Sequence, residues 1–250
     1  RDLKIFLTWD TDGTDVDFLA ALRKDTGELV WQTPRSFDLA SIRFDLRKAY
    51  CTPEIVEIGG RERVISVGAR RFGCYDPETG KELWYVNHPG YNNSSRPVAA
   101  HGRVYVGTGW NRAHLLAVRL DPEASGDVTA THVDWEAKDN VSRFSTPLVL
   151  GDTIFLIDDN GWASLLDAKD GAQLWKERIA GRVLASPVAA GDRVYVFDQK
   201  GLGVVLEPSR EGPRVQANNQ LPDGCHASPA VVDGTLVVRT ATHLYRIGAK

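Results

Sequence analysis

Ser145-Thr146-Pro147-Leu148-Val149-Leu150-Gly151-Asp152-Thr153-Ile154-Phe155-Leu156 leads, a few residues on, into Ser164-Leu165-Leu166-Asp167-Ala168-Lys169-Asp170-Gly171-Ala172-Gln173-Leu174-Trp175. The stretch opens with Ser-x-Pro, carries short apolar runs split by Gly-Asp, and closes with an Asp-x-x-x-Gly turn followed by Trp. It contains four strand-length segments divided by turn residues, too few to bury their own apolar faces. Such a unit has to stack on others.

Others are present. The opener recurs at Cys51-Thr52-Pro53, Ser95-Arg96-Pro97, Ala185-Ser186-Pro187 and Ala227-Ser228-Pro229, and the prolines fall about 40 to 50 residues apart. The closer recurs at Asp25-Thr26-Gly27-Glu28-Leu29-Val30-Trp31 and at Asp76-Pro77-Glu78-Thr79-Gly80-Lys81-Glu82-Leu83-Trp84, then more loosely before Trp135. A period of this length with four strands per unit predicts an all-β chain, a β-propeller of four-stranded antiparallel blades. Six units are visible, at roughly 1–35, 51–86, 95–136, 145–178, 185–218 and 227–250. The first lacks an opening strand and the last a closing one, so a seven- or eight-bladed ring with further sequence upstream of Arg1 is expected, as a single domain. Each closing Trp is expected to lie on the outermost strand and cover the neighbouring blade.

Bulk properties narrow the function. The 250 residues carry a net charge of -3 with acids and bases interspersed, which offers no footprint for nucleic acid. No apolar run reaches the roughly 20 residues of a membrane-spanning helix. Three cysteines, Cys51, Cys74 and Cys225, stand far apart without a C-x-x-C pair and read as buried thiols in strands, with a Cys51 to Cys74 bridge as the alternative. Six histidines are scattered along the chain without zinc spacing. Nucleophile elbows and phosphate-binding loops are missing, so no catalytic residue is assigned.

The Ala-x-Asp-x-x-Thr-Gly-x-x-x-Trp type of closer resembles the pyrroloquinoline-quinone (PQQ)-like propeller repeat of quinoprotein dehydrogenases and of the outer-membrane assembly lipoprotein. Asp12-Gly13-Thr14-Asp15, Asp45 to Pro53, Gly126 to Val133 and Thr242 to Ile247 are further similar to a planctomycete-type group of such proteins. The resemblance implies a protein exported to the periplasm or cell surface. It does not imply bound PQQ: the quinone enzymes cap their cofactor with adjacent cysteines and hold calcium with a Glu, Asn and Asp set, and neither feature can be matched here. No cofactor is predicted.

Function is expected on the face where the loops linking second to third strands meet the loops joining successive blades. That face gathers Trp9 to Asp17, Phe37 to Tyr50, His88 to Asn93, Trp110 to His114, Asp158 to Trp162 and Asp223 to His226. Tyr91, Asn92, Trp110, Asn111, Arg112, His114 and Trp162 combine aromatic rings with planar polar groups and are the candidate ligand-binding residues. Asp10, Asp12, Asp15 and Asp17 crowd carboxylates around Gly13 and form the candidate calcium site, although Gly comes one position early and the distal Glu is missing. Asp158 and Asp159 read as solvated turn acids. The expectation is a non-catalytic exported scaffold that recognises a protein or carbohydrate partner. The alternative is a PQQ- or metal-dependent oxidoreductase with part of its site in upstream blades.

Overall fold

Glycine-bearing turns spaced between short apolar runs fold each repeat into an antiparallel meander. A computed structural model of the chain describes residues 4–10, 17–38, 42–110 and 112–248. By contact it divides into two compact units, Arg1–Lys138 and Asp139–Lys250.

The first unit holds three sheets. One is β1 (Lys4–Trp9), β2 (Phe18–Arg23) and β3 (Leu29–Pro34), in that order. The next is β4 (Glu54–Ile58), β5 (Arg61–Val67), β6 (Arg71–Tyr75) and β7 (Glu82–Asn87); the third is β8 (Val98–Ala100), β9 (Arg103–Gly107), β10 (Leu115–Arg119) and β12 (Val133–Ala137). Between the last two strands, β11 (Gly126–Asp127) leaves its own sheet and pairs parallel with Trp84 and Tyr85 at the outer edge of β7. The second unit repeats the plan with β13 (Leu148–Leu150), β14 (Thr153–Ile157), β15 (Trp162–Asp167) and β16 (Gln173–Arg178), then β17 (Val188–Ala190), β18 (Arg193–Phe197), β19 (Leu202–Ser209) and β20 (Gly212–Gln220). It closes with β21 (Ala230–Val232), β22 (Thr235–Arg239) and β23 (Leu244–Ile247).

The repeat extends to fine geometry. Five sheets carry a register shift between their last two meander strands, directly after the residue that faces the closing position: Ala21 opposite Trp31, Cys74 opposite Trp84, Ala117 opposite Trp135, Leu165 opposite Trp175 and Val205 opposite Ala217. A bulge here twists the outer strand and aims its ring sideways. The rings reach the next sheet as expected: Trp31 Nε1 donates to the Pro77 carbonyl at 3.0 Å and Trp175 Nε1 to the Ser209 carbonyl at 2.6 Å. In the fifth sheet Ala217 occupies the position where a Trp is expected, on a strand extended to Gln220.

Apolar cores lie between sheets. Ile65, Phe72 and Trp84 pack against Val104, Leu116 and Val118; Phe155, Leu165 and Trp175 pack against Val194, Val196 and Leu206. The Ser-x-Pro opener has a mechanism as well. Cys51 Sγ donates to the Ser95 carbonyl at 3.2 Å and Ser145 Oγ to the Ala185 carbonyl at 2.9 Å, each reaching the same position one repeat later. One residue along, Ser186 Oγ accepts from Thr146 N–H at 3.0 Å and Ser228 Oγ from Ser186 N–H at 2.9 Å. Small side chains at the opener, three hydroxyls and one thiol, thus staple the starts of neighbouring repeats together.

All three cysteines are free and buried, so the bridge alternative fails. Only Cys74 lies within a strand; Cys51 precedes β4, and Cys225 makes an isolated bridge to Thr240. Burial pushes the Cys74 thiol up to about 12, which makes it a poor nucleophile. Among the described residues no helix is long and apolar enough to cross a membrane.

Candidate functional site

On the first unit, three loops read from sequence as one face are knitted together by backbone bonds. Asn92 N–H donates to the Lys48 carbonyl at 2.7 Å and Tyr50 N–H to the Asn93 carbonyl at 2.6 Å, so residues 48–50 run beside residues 91–93. On the other side Trp110 N–H donates to the Tyr91 carbonyl at 2.7 Å. This closeness depends on two glycines: a Cβ on Gly90 would sit 1.6 Å from the Thr108 carbonyl oxygen, and one on Gly109 would sit 2.6 Å from that of Tyr91. Close loop packing accounts for the glycine at 109 in the turn after β9.

The result is a rigid platform with exposed aromatics. Trp110 is 37% exposed, Tyr50 59% and Phe44, on a 3-10 turn at Phe44–Leu46, 62%. Two arginines brace it. Arg70 sits 5.4 Å from the Tyr91 ring centre and donates to the Pro89 carbonyl, while Arg71 lies 3.6 Å from the Tyr85 ring centre and 5.3 Å from that of Phe37. Arg71 also donates to Asn87 Oδ1 at 3.0 Å and Ser36 Oγ at 2.7 Å, tying the insert after β3 to the edge of the second sheet. Beneath lies His88, 6% exposed, with Nδ1 accepting from Gly90 N–H at 3.2 Å. Burial drives its pKa down to about 3, against a smaller opposing pull from the Gly68 carbonyl. The ring is therefore neutral and holds the loop from below.

The ligand-binding candidates separate accordingly. Tyr91, Asn92 and Trp110 come together, with Asn92 in a left-handed conformation at φ 49 and its buried Oδ1 without a partner. Arg112 is exposed on the following loop, and Asn111 lies outside the described residues. His114 is drawn to the outer strand of its own sheet, where Nδ1 meets Glu136 Oε1 at 2.5 Å. Trp162 belongs to the second unit, with Lys176 Nζ 5.0 Å from its ring centre. Tyr50, Phe44, Arg70 and Arg71 complete the platform without having been singled out by sequence. The signal for the arginines was an Arg-Arg pair where two sheets of the second unit carry Asp-x-x-Gly.

The candidate calcium segment is engaged differently. Asp10 is buried and forms a two-pronged ion pair with Arg35, at 2.8 Å to Nε and 2.7 Å to Nη2; Arg35 Nη1 also donates to Ser66 Oγ at 3.0 Å. Burial acts against the guanidinium charge, and Asp10 more than restores it, raising the pKa of Arg35 further. Asp17 is buried nearby, while Asp12 and Asp15 lie outside the described residues. Among the described residues no cluster of three metal-ligating side chains occurs.

Asp158 is a half-exposed turn acid, as expected, whereas Asp159 is not solvated. Asp158 Oδ1 accepts from the N–H groups of Asn160 and Trp162 at 2.8 and 2.9 Å, and Asp198 Oδ1 does the same for Lys200 and Leu202 one repeat later. Asp159 is buried, accepting from Ser142 Oγ at 2.7 Å and Arg143 Nε at 2.5 Å. Asp158 thus builds its own turn, and Asp159 ties down the preceding loop at Ser142 and Arg143.

A crystal structure of BamB from Moraxella catarrhalis superposes with a TM-score of 0.68 at 17% identity, covering 94% of this chain and 69% of that one. A Bacteroides caccae protein of unknown function superposes at 0.53 and 14% identity, with 94% and 82% covered. These likenesses establish the β-propeller fold. Among curated proteins, the outer membrane protein assembly factor BamB of Burkholderia pseudomallei is 28% identical over 187 residues, spanning 73% of this chain and 45% of the relative. That of Shewanella oneidensis is 22% identical over 275 residues, spanning 91% and 65%. The chain thus spans about half to two thirds of the length of these relatives. The sequence profile that describes outer membrane protein assembly factor BamB matches residues 16–250. With nearly the whole repeat array inside that match, the chain belongs to the BamB family of PQQ-like β-propellers.

Proposed function

We propose that this propeller is a non-catalytic docking scaffold, exported to the periplasmic side of the outer membrane, that holds a protein partner during outer-membrane protein assembly. Family membership supports the setting. The single observation that carries the docking role is the interlocked platform of residues 48–50, 91–93 and 110, which presents Tyr50, Phe44 and Trp110 to solvent on backbone-paired loops. Exposed aromatics on a preorganised base offer contact area at little ordering cost, the usual makeup of protein-binding hot spots.

The reading predicts site-specific contact. A photo-crosslinking residue placed at Tyr50 or Trp110 in the full-length protein within its own cell envelope should give a discrete protein adduct, and one at Lys169, on an exposed turn of the second unit, should not. Equal labelling at both places, or adducts only with glycans, would overturn protein docking at this platform. Alcohol or sugar oxidation by the purified protein with added PQQ and calcium would favour the oxidoreductase alternative instead.

A further inference from the structure

The second unit carries a cleft of its own, about 240 Å³ in volume, lined by Gly224, His226, Ala227, Arg239, Thr240 and Ala241. We infer that this cleft is a binding site for a carboxylate group, with Arg239 and His226 as the recognising residues.

The argument begins with an unused cation. Arg239 ends β22 and faces Leu244 across the ladder, and among the described residues its guanidinium has neither an ion-pair nor a hydrogen-bond partner. No acid lines the cleft. The nearest carboxylate in sequence, Asp223, is engaged by Thr242 Oγ1 and lies 3.6 Å from His243 Nδ1. A guanidinium presents a planar fork of N–H donors suited to the two oxygens of a carboxylate.

The second donor is held in place. His226 Nε2 lies 3.2 Å from Gln199 Nε2; with the amide donating, the imidazole proton resides on Nδ1 and is free to donate in turn. The floor that sets this geometry is stiff. A Cβ on Gly224 would lie 1.9 Å from the Gln199 carbonyl oxygen, so only glycine lets the two segments touch. Ala241 N–H donates to the Gly224 carbonyl at 3.1 Å, Cys225 N–H to the Asp198 carbonyl at 3.0 Å, and Cys225 bridges Thr240 underneath. Ala227 and Ala241 keep the walls low.

Charge selects the ligand. The Arg239 guanidinium supplies a single fixed positive charge, which matches a carboxylate and leaves half of a phosphate dianion uncompensated. The carboxylate could belong to an acidic side chain or to a chain terminus, and both present the same two oxygens. The inference stands independently of docking on the first unit.

The test is arginine side-chain NMR on the full 250-residue chain labelled at the guanidinium nitrogens, with Arg239 assigned by its loss in Arg239→Gln. N-acetylglutamic acid α-amide supplies a side-chain carboxylate, N-acetylalanine a terminal one, and inorganic phosphate the competing anion, all at matched ionic strength. The Arg239 Nε–Hε signal should move saturably with at least one carboxylate probe, with at least fivefold higher affinity than for phosphate. His226→Phe should weaken that binding at least threefold while the remaining spectrum stays in place, and the tighter probe identifies the source. A linear shift shared with chloride, preference for phosphate, or undiminished binding in His226→Phe would each overturn the assignment.

Discussion

Replacing Trp175 with alanine tests how neighbouring sheets hold together. The ring is 8% exposed, meets Phe155 edge-on at 6.2 Å and 63°, and donates to the Ser209 carbonyl of the next sheet at 2.6 Å. A Trp side chain buries about 150–250 Å², which at about 25 cal/mol per Å² is worth about 4–6 kcal/mol. Correcting for a compact unfolded chain removes roughly 10–40% of that. The orphaned Ser209 carbonyl adds back about 1 kcal/mol, giving a loss of about 3–6 kcal/mol, which overlaps the range of about 3–5 found for large aromatics cut to alanine. Trp175→Phe keeps most of the ring and loses the N–H, so it should cost about 1–2 kcal/mol. Trp162→Ala is the control: that ring is 37% exposed beside Lys176, and its loss should cost at least about 1 kcal/mol less than that of Trp175. Urea unfolding followed by far-ultraviolet circular dichroism measures all three, with unchanged slopes certifying that only stability moved. If Trp175→Ala fell within about 1 kcal/mol of the parent, or Phe were as damaging as Ala, the inter-sheet role of the ring would be refuted.

Three further outcomes are expected. Asp10→Asn strands the Arg35 charge in a buried site and should cost about 3–5 kcal/mol by urea unfolding, whereas the double change Asp10→Leu with Arg35→Met should recover most of that; a double variant no better than the single one would contradict a self-contained pair. His88 has a folded pKa near 3 and an unfolded value near 6.5, so the unfolded state binds the extra proton and stability falls as pH drops through that window. The loss between pH 7.5 and pH 5 should be about 2 kcal/mol, and His88→Gln should flatten this part of the profile; an unaltered profile would mean the ring is accessible to protons. Gly59 and Gly60 both have positive φ, at 58 and 74, but a Cβ on Gly59 alone would meet Pro122 at 2.8 Å. Gly60→Ala should therefore cost about 1–2 kcal/mol and Gly59→Ala measurably more, with faster hydrogen exchange at Val128 marking a loosened segment; equal costs would show Pro122 yielding freely.

The architecture was readable because it is local. Each turn states its own geometry through Asp, Thr and Gly, and each closing Trp marks an outer strand, so repetition alone gave the sheets. Tyr91, Asn92 and Trp110 were legible too, as aromatic and amide groups on loops. What escaped were couplings across long sequence distances. Asp10 looked like a calcium ligand because nothing in its neighbourhood announces Arg35, 25 residues on. Tyr50 and Phe44 sat in an insert whose letters have no periodicity, and only the pairing of residues 48–50 with 91–93 makes them part of a surface. Ala217 shows the opposite limit: the backbone bulge persists without the Trp that signals it elsewhere.

The strand β11 has an implication for how the molecule is made. Residues 126 and 127 complete the rim of a sheet whose partner strand ends at Asn87, and Val128 N–H, Thr129 Oγ1 and Asp127 secure the graft to Tyr85 and Asn87. During synthesis from the N-terminus, that rim stays open until some forty more residues have emerged, and a chaperone or a stray strand has its best opportunity then. Once the graft is seated, the middle of that edge is taken, so the chain's own sequence decides both how long the opening lasts and what finally covers it.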